Sequence, residues 1–197
     1  MIGIINYGAG NIFSLTAALE RQHIAFGMVN TEADLDLYSH IIIPGVGHAG
    51  AAMQKLRETG MVNAIKSLRK PVLGICVGMQ LLTLHSEEGN ADLLGIFPLK
   101  TKLFNKDLSI KIPHMGWNNI DFQNNPLFAG VAHETQFYFV HSYFIEYNPT
   151  FDIAAVNYGV TFSAAIQKDN FYGVQFHPEK SGEAGERLLK NFSNLSL

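Results

Sequence analysis

The sequence predicts an open α/β sheet built mainly from parallel strands. Three observations predict it. Short apolar runs recur at Ile2–Asn6, His40–Ile43 and Pro71–Ile75. Each run ends in a turn that contains glycine, and each turn leads into a segment with helical periodicity. Strand–loop–helix units in succession imply parallel neighbours joined by right-handed crossovers.

Ile2–Asn6 ends at Tyr7-Gly-Ala-Gly10, a turn signal. Asn11 is placed to cap the helix that follows, in which Ile12, Leu15, Ala18 and Leu19 recur at helical spacing. Met28–Asn30 reads as a second short strand. His40–Ile43 stops at Pro44-Gly-Val-Gly47, and Ala49–Arg69 reads as helix with a break near Gly60. Pro71–Ile75 is again β-branched and apolar, and Val77–His85 reads as helix. Beyond Gly89 the strand-like pieces are Thr101–Phe104, Asn118–Phe122, Phe137–Tyr147, Ile153–Tyr158, Ser163–Lys168 and Phe171–Phe176, punctuated by Gly, Asn and Pro. They are expected to run antiparallel or as a meander and to extend the same sheet. Glu183–Leu195 closes the chain as an amphipathic helix. No repeat, low-complexity tract or linker interrupts the pattern, so residues 1–197 are read as one domain.

Composition narrows the function. Hydrophobic residues make up 47% and charged residues 16%, the balance of a globular protein. A net charge of −3 argues against nucleic acid or an anionic membrane as partner. No apolar stretch is long enough to span a bilayer. MIGIINYGAGN has neither a basic n-region nor a cleavage site, so a cytoplasmic location is expected. Asn191-Phe-Ser and Asn194-Leu-Ser match the glycosylation pattern but are read as chance in that compartment. One cysteine, Cys76, permits no intramolecular disulfide and no thiolate zinc site; neither metal nor cofactor is expected.

The strongest local signal is Gly74-Ile-Cys-Val-Gly78. An isolated cysteine is ordinarily a small core residue. Here it stands where a buried strand gives way to a helix, with glycine two positions to either side, the elbow arrangement of a nucleophile. The helix start favours a thiolate. The Val77 N–H is directed at any oxyanion formed above the sulfur.

A nucleophilic thiol needs a base, and His177-Pro-Glu179 supplies one together with a carboxylate to orient it. Residues i and i+2 of an extended segment face the same way, and Pro178 biases His177 towards extended backbone. His141 and His114 are the next candidates. Pro44-Gly-Val-Gly47 lies at another strand end, and its Val46 and Gly47 amides are candidates for a second oxyanion donor. Tyr7-Gly-Ala-Gly10-Asn11 begins like a dinucleotide fingerprint, but Phe13 stands where the third glycine belongs. A nucleotide role is therefore rejected, and the loop is read as a turn or docking element.

Together these residues resemble the class I (triad) glutamine amidotransferases, and most closely the glutaminase subunits of imidazole glycerol phosphate synthases. The resemblance covers essentially the whole chain. It is carried by Gly8-Ala-Gly-Asn11, Ile43-Pro-Gly-Val-Gly47, Gly74-Ile-Cys-Val-Gly-Met-Gln80, Pro113-His-Met-Gly-Trp-Asn118, Tyr138-Phe-Val-His-Ser-Tyr143 and Gln175-Phe-His-Pro-Glu-Lys-Ser181. It implies a flavodoxin-like domain with an open, mixed, mainly parallel sheet flanked by helices. It further implies that Cys76 attacks the glutamine carboxamide, that His177 moves the proton and that Glu179 orients His177. Gly45, Gln80, His141, Ser142 and Tyr143 match positions around the bound L-glutamine. Asn11, Met115, Trp117, Tyr138 and Lys180 match positions facing the cyclase, whose (β/α)₈ barrel receives ammonia within a heterodimer. The barrel's reaction yields imidazole glycerol phosphate and an aminoimidazole carboxamide ribotide in histidine biosynthesis. The resemblance also implies activation by the partner, for which reorientation of the Val46 peptide is a physical route. An alternative acceptor is a surface sugar, as in paralogues of these subunits. Glutaminases of anthranilate, aminodeoxychorismate or guanylate synthesis are disfavoured by PGVG and PHMGWN, and an inactive scaffold by the intact triad.

Overall fold

A computed structural model of the chain describes residues 1–107 and 109–196. The first half follows the expected alternation: β1 (Ile2–Ile5), α1 (Ile12–Arg21), β2 (Phe26–Val29), β3 (His40–Ile43), α2 (Ala49–Glu58), α3 (Val62–Ser67), β4 (Val72–Ile75) and α4 (Val77–Leu81). β1, β3 and β4 are buried at every position, which is why they read as unbroken apolar runs. Asn11 caps α1, its side chain accepting from the Ser14 N–H at 3.4 Å. Gly60, at φ +74°, separates α2 from α3 as the sequence suggested.

The second half comprises β5 (Thr83–Ser86), β6 (Ala91–Asp92), β7 (Phe97–Leu103), β8 (His114–Asn119), β9 (Asp121–Phe122), β10 (Gln136–His141), β11 (Tyr143–Ile145), β12 (Asp152–Asn157), β13 (Thr161–Lys168), β14 (Phe171–Val174) and α5 (Gly182–Ser193). The main sheet has eight strands in the order β2-β1-β3-β4-β14-β13-β12-β9. It is parallel from β2 to β14 and antiparallel from β14 outward. The predicted mixed α/β sheet is thus the one observed.

Three expectations are corrected. The later strands are not all antiparallel: β14 lies parallel to β4, continuing the parallel half of the sheet, and β7 lies parallel to β5. The helix after Cys76 ends at Leu81 rather than running to His85, and Thr83–Ser86 is strand β5. The Thr83 hydroxyl donates to the Gln80 carbonyl at 2.8 Å, satisfying an acceptor that a longer helix would have used. Nor do all the later strands extend the main sheet. β8 and β10 form a separate antiparallel ribbon, and β11-β7-β5-β6 form a third sheet. The apolar run Phe137–Tyr147 breaks at Ser142, and its halves, β10 and β11, join different sheets. The run Asn118–Phe122 divides likewise between β8 and β9. Alternation marks a strand, but strand partners are chosen by long-range packing that local pattern does not encode.

The ribbon gathers Met115, Trp117, Tyr138 and Lys180 of the expected docking residues, while Asn11 lies apart at the start of α1. In β10, Phe137, Phe139 and His141 point inward, leaving Tyr138 and Val140 on the outer face. Trp117 pairs with Tyr138 across the ribbon, their rings 6.0 Å apart, and Lys180 Nζ lies 5.7 Å from the Tyr138 ring centre. Met115 and Trp117 are both more than half exposed.

Candidate active site

The site lies where β3, β4 and β14 present their C-terminal ends, the usual location for ligands in an open α/β sheet. The Cys76 N–H continues the β4–β14 ladder, donating to the Val174 carbonyl at 2.8 Å, before the chain reverses into α4. At φ 53° and ψ −109°, Cys76 is held in a conformation that L-residues rarely adopt. The flanking glycines make that reversal fit. A Cβ on Gly74 would come 2.5 Å from the Gly78 carbonyl oxygen, and one on Gly78 would overlap the Ile43 carbonyl oxygen. A Cβ on Gly45 would lie 2.5 Å from the Gly78 nitrogen, so the Pro44–Gly47 loop packs backbone to backbone against the cysteine turn. Tyr7 secures this loop: its buried hydroxyl donates to the Pro44 carbonyl at 2.6 Å. Burial, and secondarily the nearby Cys76 sulfur, push the Tyr7 phenol further up, so it remains a donor. Tyr7→Phe should therefore free the Pro44 carbonyl. We expect a stability loss of only about 1 kcal/mol in denaturant unfolding, but a larger proportional loss in kcat of any reaction that uses the loop amides.

His177 and Glu179 meet as the sequence implied, by a different route. His177 is extended (φ −101°, ψ 97°), but Pro178–Lys180 then forms a short 3₁₀ turn rather than continuing a strand. The turn carries the Glu179 carboxylate back to the ring, where His177 Nδ1 donates to Oε1 at 2.8 Å. Both side chains are almost wholly buried. The ribbon clasps this turn. The His177 N–H donates to the Tyr138 carbonyl at 2.9 Å, while Ser181 Oγ accepts from the Tyr138 N–H at 3.0 Å and donates to the His177 carbonyl at 2.7 Å.

Burial alone would depress the His177 imidazole. Contact with the Cys76 sulfur, then with Glu179, outweighs it and lifts the pKa to about 10. His177 Nε2 nevertheless completes no hydrogen bond among the described residues. The two runner-up histidines behave oppositely. Burial lowers His114 to about 4 and His141 to about 3, so both stay neutral near pH 7.

A cavity of about 420 Å³ opens above the sulfur. Of the residues singled out in the sequence, Cys76, Val77, Val46, Gly47, Gln80, His141, Ser142, Tyr143, His177 and Lys180 line it. Gly45, Glu179 and Asn11 instead line a narrow crevice behind the imidazole. Met115, Trp117 and Tyr138 stand away from both, on the ribbon. Lys180, on the 3₁₀ turn, lines the cavity and packs over the Tyr138 ring of the ribbon, and so joins the two. Glu88 carries no motif signal, yet it lines the cavity and its Oε2 accepts from the Ala49 N–H at 2.6 Å. Gln175 stands out in the sequence only as part of a motif. It is fully buried, and its Nε2 donates to Cys76 Sγ at 3.7 Å. The signal that could have found it is one polar side chain inside the apolar run Phe171–Phe176. Among the described residues no cluster of potential metal ligands occurs, and no helix is long and apolar enough to cross a membrane.

A cysteine on a strained strand-to-helix turn and a histidine oriented by a buried glutamate meet at one cavity at the end of an α/β sheet, an arrangement suited to a thiol-dependent amidotransferase. The chain belongs to the class-I glutamine amidotransferases, whose family pattern matches residues 4–195. Its relatives are more specific. It is 48% identical over 195 residues to imidazole glycerol phosphate synthase subunit HisH of Bacteroides fragilis, covering 98% of this chain and 99% of that one. It is likewise 48% identical over 192 residues to the protein of the same name from Escherichia coli, covering 96% of each. Among solved structures, a glutamine amidotransferase from Thermotoga maritima superposes with a TM-score of 0.63. At 15% identity, over 97% of this chain and 81% of that one, it shows the shared fold alone.

Proposed function

We propose that this chain is the glutaminase subunit of an imidazole glycerol phosphate synthase, acting as one domain over residues 1–197. It hydrolyses L-glutamine to glutamate and ammonia and delivers the ammonia to a cyclase subunit. The observation that carries the reading is a cavity of about 420 Å³ lined by both Cys76 and His177, with the His177 ring held from behind by Glu179 at 2.8 Å.

In this reading the proton rests on His177, and the sulfur attacks the side-chain carbonyl carbon of glutamine. Negative charge moves to the carbonyl oxygen, where the Val77 amide and an amide of the Val46–Gly47 loop receive it. As the tetrahedral species collapses, the C–N bond breaks and His177 protonates the departing nitrogen, releasing ammonia and leaving a thioester. The neutral imidazole then takes a proton from water, which attacks the thioester; glutamate leaves and the sulfur is restored. Glu179 keeps Nδ1 as the donor throughout, so that Nε2 does the proton transfer. Gln80, His141, Ser142 and Tyr143 surround the substrate, Gly45 backs the loop that carries Val46, and Glu88 offers a carboxylate to the substrate's ammonium group. Gln80 Oε1, buried and without a partner among the described residues, is an acceptor available to a substrate N–H.

The exposed ribbon face, with Met115, Trp117, Tyr138 and Lys180, and the Asn11 loop form the docking surface for the cyclase barrel. The ribbon holds the triad directly through Tyr138, and Asn11 lines the same crevice as Glu179. A partner seated there can bias the Val46 peptide. The chain is assigned to the cytoplasm with its biosynthetic partner.

The test is glutamate release by the chain alone, and then with a cyclase barrel and its ribotide ligand. The expected result is faster release with the barrel and its ribotide ligand than by the chain alone. Equal rates would refute the activation; no glutamate under either condition would refute the activity.

A further inference from the structure

A chain of buried side chains runs from the Tyr143 backbone carbonyl to the cysteine sulfur, and its polarity is dictated from the carbonyl end. Gln80 Nε2 lies 3.1 Å from the Tyr143 carbonyl oxygen and 3.2 Å from Gln175 Oε1. Gln175 Nε2 lies 3.7 Å from Cys76 Sγ. A backbone carbonyl only accepts. The Gln80 amide must therefore turn its NH₂ towards Tyr143, since its oxygen there would oppose another oxygen. That NH₂ has a second hydrogen, which reaches Gln175 and requires the Gln175 oxygen on that side. The remaining end of the Gln175 amide is then its NH₂, and it faces the sulfur.

The Tyr143 carbonyl is itself fixed. His141 Nδ1 donates to it at 2.8 Å, and His141 Nε2 accepts from His114 Nδ1 at 3.1 Å. Both rings are buried, and one carbonyl has lone pairs for both donors. Reversing the Gln80 amide would set its oxygen against the Tyr143 and Gln175 oxygens, and reversing the Gln175 amide would set its NH₂ against that of Gln80.

We propose that Gln175 is a further catalytic residue, a dedicated donor to the Cys76 sulfur. It stabilises the thiolate over the thiol, with Gln80 as the positioning residue that holds it in that orientation. The inference rests on the reading of Cys76 as the nucleophile. It adds that the thiolate has a neutral donor beside it in addition to the imidazolium.

The test is the rate of Cys76 alkylation by iodoacetamide as a function of pH, on the full chain, with folding of each variant verified. The reagent reports the thiolate directly and needs no glutamine turnover. The titratable groups around the sulfur, namely His177, Glu179, Tyr7, His141, Glu88 and Lys180, remain in every variant. Gln175→Met should be alkylated about tenfold more slowly at neutral pH, with the midpoint of the profile moved up. Gln175→Glu, which replaces the donor with a charge, should move it further. Gln80→Leu should produce a smaller shift of the same sign, and the double variant Gln80→Leu/Gln175→Met no more than Gln175→Met alone. A Gln175→Met profile that coincides with that of the unsubstituted chain would overturn the proposal, as would additive shifts. Should a variant not fold, the Gln175 side-chain amide resonance of the unsubstituted chain decides. It should move as Cys76 titrates, and a stationary resonance would overturn the proposal. A shifted profile in a chain that does not hydrolyse glutamine would refute the glutaminase reading alone. An unshifted profile in a chain that does would refute only the role of Gln175.

Discussion

Cys76→Ala is expected to abolish glutamine-dependent turnover, lowering kcat by about 10⁴-fold or more, as loss of a nucleophile does elsewhere. Added ammonium salts should still support the cyclase reaction, because the acceptor chemistry lies in the partner. The same substitution should barely alter stability. Cys76 is buried, but alanine removes one sulfur and can occupy the same left-handed backbone at much the same strain, so we expect a change of about 1 kcal/mol or less. Loss of activity with an unchanged unfolding midpoint separates chemistry from folding. Loss of ammonium-dependent synthesis as well would mean that the site supports the partner structurally rather than supplying it with ammonia.

Gly78→Ala should have the largest effect on stability. The added Cβ would overlap the carbonyl oxygen of Ile43 and approach its carbonyl carbon at 2.9 Å. Both are backbone atoms at the end of β3, a strand buried at every position, so neither can give way cheaply. Relief requires α4 and the Pro44–Gly47 loop to separate, which dismantles the cysteine turn. We expect a loss of about 3–5 kcal/mol, a large part of the total stability of an ordinary domain, together with loss of activity in whatever fraction remains folded. Gly47 provides the contrast. Its φ is +85°, but nothing lies within 4 Å of a Cβ built there. Gly47→Ala should cost only the left-handed conformation, about 1–2 kcal/mol. Denaturant unfolding of the two variants distinguishes a steric requirement for glycine from a conformational one.

The parts of the fold legible in the sequence were those whose burial is complete and local. β1, β3 and β4 are covered on both faces, so their residues are uniformly apolar, and the glycine turns after them mark the sheet edge where ligands bind. The cysteine turn was legible because steric crowding by Ile43 and Gly78 leaves glycine as the only occupant at fixed spacing. Thr83–Ser86 was not legible as a strand. It follows a helix without a breaker, and its pairing with β7 and β6 makes it extended. The break at Ser142 was hidden for the same reason, since β10 and β11 find partners in β8 and β7, far away in the chain. His177 and Glu179 were correctly paired, but i,i+2 alternation was not the cause; the 3₁₀ turn held by Ser181 and Tyr138 was. The roles of Gln175 and Tyr7 were not legible, because a buried polar group declares its role only through its partner. Those partners, Cys76 and Pro44, are respectively 99 and 37 residues away.

The most direct measurement is the intact mass of the protein, and of its Cys76 peptide, after exposure to a diazoketone analogue of glutamine. The predicted result is one adduct, on Cys76, slowed by excess glutamine and missing from Cys76→Ala. An adduct that forms elsewhere, or one on Cys76 that glutamine does not slow, would contradict the assignment of this cavity as the place where glutamine meets the sulfur.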